Sequence, residues 1–233
     1  MPTRLPSLLD DAILFAHRGA RTTGVEQARE AFERALQLGA TGLQADAWLT
    51  ADGEVVLDRT GLVRRLPRRR AADVNRSDVA GWLTLDELLA LPTDSPIRLR
   101  VADTDAARVI LERARRADAA ERLWLAHPEL ETLAEWRDLS PVIHLVNATS
   151  VKSLPFGPER RAAELAAGRV DAVALPEAEW TGGHVTLFHR FEVLAFADGA
   201  HYERQIARVI DMGIDAVSGD HVERLVAVAA TFA

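Results

Sequence analysis

Short apolar runs alternate with longer segments of helical spacing throughout the second half of the chain. The runs are too short for helices and carry little polar alternation, which is typical of strands buried on both faces. Strands are predicted at 97–101, 123–126, 142–146, 171–175, 192–197 and 215–218. Helices are predicted at 106–117, 130–136, 158–167, 181–190, 202–212 and 222–231. Repeated strand–helix units of this kind indicate a parallel sheet covered by helices.

The N-terminal part of the chain adds three further strands. They are predicted at 12–16, 42–49 and 54–57, with a helix at 26–38 that ends at Gly39. Residues 84–89 have the pattern of a short capped helix. Only residues 50–53 separate the second and third strands. A parallel crossover needs many more residues, so these two strands form an antiparallel hairpin.

The hairpin brings together positions that are distant in sequence. Counting back from a four-residue turn places Trp48 opposite Val55, Asp46 opposite Leu57, and Gln44 opposite Arg59. Gln44, Asp46 and Arg59 are therefore expected at one end of a two-stranded ribbon.

The predicted fold is a single closed (β/α)8 barrel of the TIM type over residues 1–233, with an irregular hairpin between the second and third strands. Nine strand candidates exceed the eight that a barrel needs, so the hairpin pair or the brief final strand accounts for the surplus. A doubly wound open sheet is the alternative. It is less favoured because no glycine-rich dinucleotide loop follows the first strand.

Composition and charge argue against several classes of function and of site. A formal net charge of −7 argues against a nucleic-acid-binding surface. The absence of cysteine excludes disulfides and thiolate metal sites. No apolar stretch reaches the length of a membrane span, and Asp10 and Asp11 interrupt the first apolar segment, so neither a span nor a signal peptide is predicted. We expect a cytoplasmic protein, and the sequence leaves its oligomeric state open.

Candidate functional residues lie where the predicted strands end, the side of a barrel on which active sites are built. They are His17 and Arg18 after the first strand, Asp46 in the second, Arg59 after the third and Arg100 late in the fourth. Arginine presents a fork of donors that matches phosphate oxygens. Arginine is also abundant over 59–70, which is either a solvated loop or an anion-binding lip beside the site.

These residues resemble the signature of the glycerophosphodiester phosphodiesterases, in which His-Arg is followed by Glu-x-Asp and then by a second His. The match includes ALQLGATGLQADAWL at 35–49, the Thr-x-Asp-Gly turn at 50–53, Glu26 in the position of the family's Pro-Glu-Asn-Thr element, and MGIDAVSGDHVERL near the end. The resemblance implies a TIM barrel. It also implies two histidines that act as acid and base, and a calcium or magnesium ion held by acidic residues.

Only part of that machinery carries over. His17 corresponds to one catalytic histidine, Arg18 to the phosphate-facing arginine, and Asp46 to one metal ligand. Other positions of the pattern hold different residues: Gln44 for the glutamate ligand, Arg59 for the second histidine, Thr60 for the aspartate after it, and Arg100 for a third acid. Asp46 is the one ligand position that remains, so no metal or other cofactor is expected. An arginine cannot exchange a proton near neutral pH, so the two-histidine relay is predicted to be broken.

Three hypotheses for function remain open. In the first, Arg18, Arg59 and Arg100 bind a phosphate-containing or other small anionic ligand without efficient hydrolysis, unless Asp46 and Arg100 pair and close the site. In the second, the protein still hydrolyses a phosphodiester with His17 and the arginine cluster. In the third, it is a non-catalytic interaction protein that pairs with an active relative. The expected site-lining residues are Glu26, Gln44, Asp46, Thr60 and His127, with His144 a further histidine near a strand end and no role assigned to His184, His189, His201 or His221.

Overall fold

The computed structural model describes residues 5–20, 27–63 and 68–232. Its strands are β1 (Ile13–His17), β2 (Gly42–Leu49), β3 (Val55–Leu57), β4 (Leu62–Val63), β5 (Arg69–Arg70), β6 (Leu83–Thr84), β7 (Ile97–Val101), β8 (Leu123–His127), β9 (His144–Ala148), β10 (Ala172–Pro176), β11 (Leu194–Asp198) and β12 (Ala216–Gly219). Its α-helices are α1 (Arg29–Gln37), α2 (Leu85–Leu89), α3 (Ala106–Arg116), α4 (Leu130–Leu139), α5 (Gly157–Ala167), α6 (Gly182–His189), α7 (Glu203–Asp211) and α8 (Val222–Ala229). No helix in these ranges is long and apolar enough to cross a membrane.

Eight of the strands close into a parallel barrel in the order β1, β2, β7, β8, β9, β10, β11, β12 and back to β1. The closure is visible at β1, since Phe15 pairs with Gly42 of β2 on one side and with Ser218 of β12 on the other. The predicted (β/α)8 barrel is confirmed, and the alternative of an open sheet is wrong because no barrel strand has a free edge.

The predicted hairpin is present, but its register differs by one residue. Ala47 pairs with Leu57 and Trp48 with Val56, where the sequence predicted that Trp48 would face Val55. The shift arises because Glu54 belongs to the turn: its backbone nitrogen bonds to Thr50 Oγ1, and its carbonyl accepts from the Thr50 nitrogen at 2.9 Å.

The surplus strand is β3, which pairs with the far end of β2 outside the barrel. Two predictions are therefore corrected. Gln44 pairs with His17 of β1 and Arg98 of β7 instead of facing Arg59. Arg100 lies on the third barrel strand instead of the fourth, because β3 does not count among the eight.

The first helix is shorter than predicted. Gln27 has a positive φ of 57° and Ala28 is extended, so the helical conformation begins at Arg29 instead of residue 26. The helix predicted at 84–89 is confirmed as α2: Thr84 Oγ1 accepts from the Glu87 nitrogen, and Glu87 Oε2 accepts from the Thr84 nitrogen. This reciprocal capping box satisfies two backbone donors that a helix start otherwise leaves unpaired.

The barrel interior is filled by aromatic and small side chains. Phe15, Trp124 and Phe196 form its centre, with ring centroids 5.2–5.9 Å apart in the two pairs that involve Phe196. His144 stacks on Trp124 with centroids 4.1 Å apart. Because β9 begins at His144, this histidine lies at the amino-terminal end of the barrel, away from the mouth that the sequence suggested it could reach.

Asp215 ties the N-terminal segment to the bottom of the barrel. Its Oδ1 accepts from Ser7 Oγ and the Leu8 nitrogen, both at 2.7 Å. Its Oδ2 bonds His189 Nε2 at 2.7 Å and the Ala195 nitrogen at 2.6 Å. Burial disfavours the ionised form of Asp215, but these hydrogen bonds prevail and hold its pKa below the usual value.

We expect Asp215→Asn to lower the free energy of unfolding by about 3 kcal/mol, the cost of breaking a buried charged network. Since the pKa is depressed in the folded state, the contribution of Asp215 is present above about pH 4 and is lost as the pH falls further. Urea denaturation at neutral and acidic pH measures both effects. The exposed Asp211→Asn change is the control. An equal loss of stability in the two variants would contradict this role.

Candidate functional site

A cleft of about 570 Å³ opens at the carboxyl-terminal end of the barrel strands. We call it the mouth cleft. Its lining residues are His17, Arg18, Gln44, Asp46, Arg59, Arg98, Arg100, Pro128, Ala148, Thr149, Ala174, Pro176, Asp198, Gly199, His201, Ser218 and Asp220. The candidate residues His17, Arg18, Gln44, Asp46, Arg59 and Arg100 thus meet in one cavity.

Asp46 lies between two arginines and is only 3% exposed. Arg18 Nε donates to its Oδ2 at 2.7 Å, and Arg100 Nε lies 2.8 Å from its Oδ1. The Asp46 backbone nitrogen donates to Gln27 Oε1 at 2.7 Å, which holds the strand position. The pairing of Asp46 with Arg100 considered from sequence does form, yet it leaves the mouth cleft open, and the Arg100 side chain remains 55% exposed.

Arg18 reaches Asp46 from a left-handed backbone conformation, with φ of 61°. Its backbone nitrogen donates to the Gln44 carbonyl at 2.7 Å, which fixes the turn that follows β1. A non-glycine residue in this conformation costs about 1–3 kcal/mol unless the surroundings hold it there. The hydrogen bonds to Gln44 and Asp46 supply that restraint and aim the guanidinium group into the mouth cleft.

The donor groups of the mouth cleft do not fit a divalent cation. Calcium and magnesium need several oxygen ligands, usually including free carboxylates. Each oxygen of Asp46 already faces a guanidinium group, and Gln44 supplies only a neutral amide. Among the described residues, no group of three His, Asp or Glu side chains is arranged to hold a metal ion. Glu26 lies outside the described residues.

Gln44 is buried, and its Oε1 atom has no hydrogen-bond partner in the described part of the chain. The side chain lies on β2 between His17 and Arg98 of the neighbouring strands. A buried acceptor without a partner is costly. A ligand hydroxyl at this place would satisfy it.

A second ion pair, between Arg98 and Asp198, lies beneath the cleft. Arg98 is 2% exposed and donates through both terminal nitrogens to Asp198, at 2.6 and 2.8 Å. Ser218 Oγ also donates to Asp198 at 3.0 Å. Burial opposes ionisation of Asp198, but the Arg98 charge and these hydrogen bonds hold its pKa below the usual value.

Sequence reasoning did not select Arg98 or Asp198, although a signal was present. Residues 97–101 read Ile-Arg-Leu-Arg-Val, and strand periodicity places Arg98 on the same face as Arg100. Asp198 is the final residue of β11, one position beyond the predicted strand end. A polar residue at the carboxyl end of an apolar barrel strand is a general indication of a site.

Two further missed residues, Asp220 and His201, lie beside His17. His17 Nδ1 is 2.8 Å from Asp220 Oδ1, and His201 Nδ1 is 3.9 Å from Asp220 Oδ2. Asp220 directly follows β12, and His201 lies three residues after β11. No motif in the surrounding sequence marks His201 as a functional residue.

Arg59 lines the mouth cleft and is exposed. Within the described residues it makes no hydrogen bond or ion pair, unlike Arg18, Arg98 and Arg100. Thr60 lies outside the cleft lining, with its backbone nitrogen and hydroxyl bonded to Asp58 Oδ1 at 2.8 and 3.0 Å. The indole nitrogen of Trp48 donates to the Asp58 carbonyl at 2.7 Å, which secures the loop that carries Arg59.

The remaining candidates lie away from the mouth cleft. His127 ends β8, but its ring packs edge-on against Trp136 at 5.4 Å, and its Nδ1 accepts from the Glu129 nitrogen. Burial lowers the pKa of His127, so the neutral form is favoured. Arg68, Arg69 and Arg70 are exposed and do not line the mouth cleft, whereas Arg64 and Arg65 lie outside the described residues.

The mouth cleft as a whole carries positive charge. Four guanidinium groups and three carboxylates line it, which leaves one net positive charge with the histidines neutral. Arg59 and Arg100 are the exposed members of this set, and Arg100 is paired with Asp46 through Nε.

The chain matches no protein-family model, and no curated protein matches its sequence. Solved structures do match. A glycerophosphodiester phosphodiesterase from Parabacteroides distasonis is similar with a TM-score of 0.82 and 18% identity, over 96% of this chain and 98% of that chain. One from Thermotoga maritima is similar with a TM-score of 0.79 and 22% identity, over 94% and 99%.

A third similar structure is an Oleispira antarctica phosphodiesterase in complex with the product sn-glycerol-3-phosphate. Its TM-score is 0.78 and its identity 15%, over 93% of this chain and 96% of that chain. At these identities the similarity shows a shared barrel fold over almost the whole chain.

Proposed function

We propose that the protein is a diverged glycerophosphodiester phosphodiesterase-like barrel that binds a phosphate ester in the mouth cleft and has lost divalent-metal-dependent hydrolysis. The motif resemblance over residues 17–60 and the fold similarity support the relationship. The observation that carries the loss of metal dependence is the Arg18–Asp46–Arg100 cluster, in which each carboxylate oxygen is already paired with a guanidinium group.

The ligand class follows from the polar groups that face the mouth cleft. The exposed guanidinium groups of Arg59 and Arg100 suit phosphoryl oxygens. The unpartnered Gln44 Oε1 suits a hydroxyl donor on the same ligand. A phosphate ester of a small polyol offers both. The sn-glycerol-3-phosphate bound by the Oleispira antarctica enzyme belongs to that chemical class.

Titration of the protein with inorganic phosphate, sn-glycerol-3-phosphate, Ca²⁺ and Mg²⁺ tests this proposal. The two phosphate compounds are expected to raise the melting temperature, and the two cations are not. Ligand that binds the folded state adds about 2.7 kcal/mol at 100 times its dissociation constant. For a chain of this size that corresponds to about 5–10 °C. Stabilisation by either cation with no response to phosphate would overturn the proposal.

We expect Arg59→Gln to weaken binding of sn-glycerol-3-phosphate by about tenfold to a hundredfold. A hydrogen bond to a charged group contributes about 1.5–3 kcal/mol, and each 1.4 kcal/mol is about tenfold in affinity. Arg69→Gln removes the same charge from an exposed strand outside the mouth cleft and serves as the control. Isothermal titration calorimetry distinguishes a local contact from a general charge effect, since the latter would weaken binding equally in both variants.

A further inference from the structure

The loop between β11 and α7 brings a second histidine to the mouth cleft. The backbone nitrogens of Gly199 and Ala200 donate to the Ser218 carbonyl at 3.1 and 3.0 Å. This close approach needs glycine at the end of β12, since a Cβ atom on Gly219 would collide with the Ala200 carbonyl oxygen. The loop therefore lies directly against the end of β12, next to Asp220.

His201 is held in this loop by its backbone. Its nitrogen donates to Gln205 Oε1 at 3.0 Å, and its carbonyl accepts from Arg224 Nη1 at 2.9 Å. These bonds leave the imidazole ring free to face the mouth cleft, which it lines. His201 thus has a fixed origin and an available side chain.

Asp220 lies between two imidazole rings. Its Oδ1 bonds Nδ1 of His17 at 2.8 Å, and its Oδ2 lies 3.9 Å from Nδ1 of His201, which is longer than a hydrogen bond. The hydrogen bond to Asp220 favours a proton on Nδ1 of His17 and leaves Nε2 of that ring for the ligand. Neither Nε2 atom makes a hydrogen bond within the described residues. The His17 and His201 side chains are 24% and 43% exposed, so both rings are accessible from the cleft.

We infer that His17, which is bonded to Asp220, and His201, which lies on the other side of the same carboxylate, form an acid–base pair that cleaves a phosphodiester without a metal ion. The inference rests on the proposed function, since it needs a phosphate ester in the mouth cleft. It assigns to His201 the second proton-transfer role that Arg59 cannot perform. Asp220 is the positioning residue of His17.

The reaction requires a diester in which one alcohol carries a hydroxyl next to the esterified oxygen. Nε2 of one histidine removes the proton of that hydroxyl, and the hydroxyl oxygen forms a new bond to phosphorus. The bond from phosphorus to the other alcohol breaks, and the second histidine, protonated at Nε2, gives its proton to the leaving oxygen. The products are a cyclic phosphate and a free alcohol. The two histidines exchange protons with water afterwards, and no metal, oxidant or other reactant is consumed.

Two synthetic esters of glycerol 3-phosphate test the pair, each assayed with EDTA present. One has methanol as its leaving alcohol and the other 4-nitrophenol, which departs as an anion without needing a proton. We expect cyclic phosphate from both, detected by phosphorus NMR. The methyl ester should lose about 10²–10⁴-fold in kcat in both His17→Gln and His201→Gln. On the nitrophenyl ester, kcat should fall by the same factor only in the variant that lacks the base, because this leaving group needs no proton.

Controls separate this inference from the binding proposal. His221→Gln changes a histidine next to Asp220 that does not line the mouth cleft, and its rates should match those of the unmodified protein. Esters that lack the 2-hydroxyl should not react. Asp220→Asn should lower kcat on the methyl ester with little change in KM, since a positioning residue acts on the reacting imidazole and not on ligand binding.

The outcomes are distinct. Full activity of His201→Gln on the methyl ester, or activity abolished by EDTA, overturns the inference. So does the absence of cleavage in a protein that still binds sn-glycerol-3-phosphate in calorimetry, a result that leaves the proposed function standing. If the unmodified protein does not bind sn-glycerol-3-phosphate, both the inference and the proposed function are overturned. Circular dichroism of each variant confirms that the barrel is folded.

Discussion

Asp198→Asn is expected to lower the free energy of unfolding by about 3–5 kcal/mol, the usual cost of removing one partner from a buried ion pair. The Arg98 guanidinium is 2% exposed and donates to both Asp198 oxygens. Without the carboxylate, its charge stays inside the barrel with no counter-charge. Arg98→Met should cost less, because the Asp198 side chain is 31% exposed and retains contact with water in the mouth cleft.

The double variant Arg98→Met with Asp198→Asn provides the control. It removes both charges, so its loss of stability should be smaller than the sum of the single losses by about 1–3 kcal/mol. Urea denaturation at neutral pH measures all three variants. Additive losses would show that the two side chains act independently and would contradict the ion-pair account.

The pH dependence of the free energy of unfolding tests the Arg98–Asp198 ion pair in a second way. Arg98 holds the pKa of Asp198 below its usual value, so the stability that this aspartate contributes is present above about pH 4 and falls at lower pH. In Arg98→Met, burial is no longer opposed by a positive charge, and the pKa of Asp198 should rise. Protonation then relieves the unpaired charge, so the difference between this variant and the unmodified protein should shrink on acidification.

Much of the fold followed from short-range patterns. The repeated strand–helix units gave the barrel, because each apolar run was long enough for a strand and each following segment had one apolar face. The hairpin followed from the four residues between two strands. Its register did not, because the hydrogen bonds between Thr50 and Glu54 that lengthen the turn depend on local geometry that the apolar pattern does not report.

The candidate site was predictable only where a motif marked it. His17, Arg18, Asp46 and Arg100 were selected, and the structure brings them together because parallel strands in register place Asp46 beside Arg100 and His17 beside Gln44. Asp198, His201 and Asp220 were not selected, since they come from the ends of the last two strands, far in sequence from the motif at 17–60. Their contacts with Arg98 and His17 arise from barrel closure, which sequence spacing does not measure.

Asp198, His201 and Asp220 change the interpretation of the substitutions at the signature positions of the family. From sequence, replacement of the second histidine by Arg59 indicated a broken relay. In the structure, Nδ1 of His201 lies 3.9 Å from the carboxylate that bonds His17, and it comes from a different loop. These residues do not alter the proposed loss of metal binding, because both Asp46 oxygens face guanidinium groups and no three described His, Asp or Glu side chains are grouped to hold a metal ion.

Restoring the family residues together should reverse the ligand preference of the mouth cleft. The variant carries Gln44→Glu, Arg59→His and Arg100→Glu, and it changes the formal charge of the cleft by four negative units. Asp46 loses its Arg100 partner and gains a neighbouring carboxylate on β2 and another on β7, since Gln44, Asp46 and Arg100 lie on adjacent paired strands. Several carboxylate oxygens then face one another, as calcium and magnesium require.

The expected result is a rise in melting temperature of about 5–10 °C with Ca²⁺ at 100 times its dissociation constant, and no rise with phosphate. The control variant Gln37→Glu, Arg69→His and Arg116→Glu makes the same changes at exposed positions outside the mouth cleft. It should keep the preference of the unmodified protein, because its charges are screened by solvent and lie far from the ligand. If both variants respond alike, net charge sets the preference. If the restored cleft still binds phosphate and ignores Ca²⁺, the substitutions at 44, 59 and 100 do not set its ligand specificity.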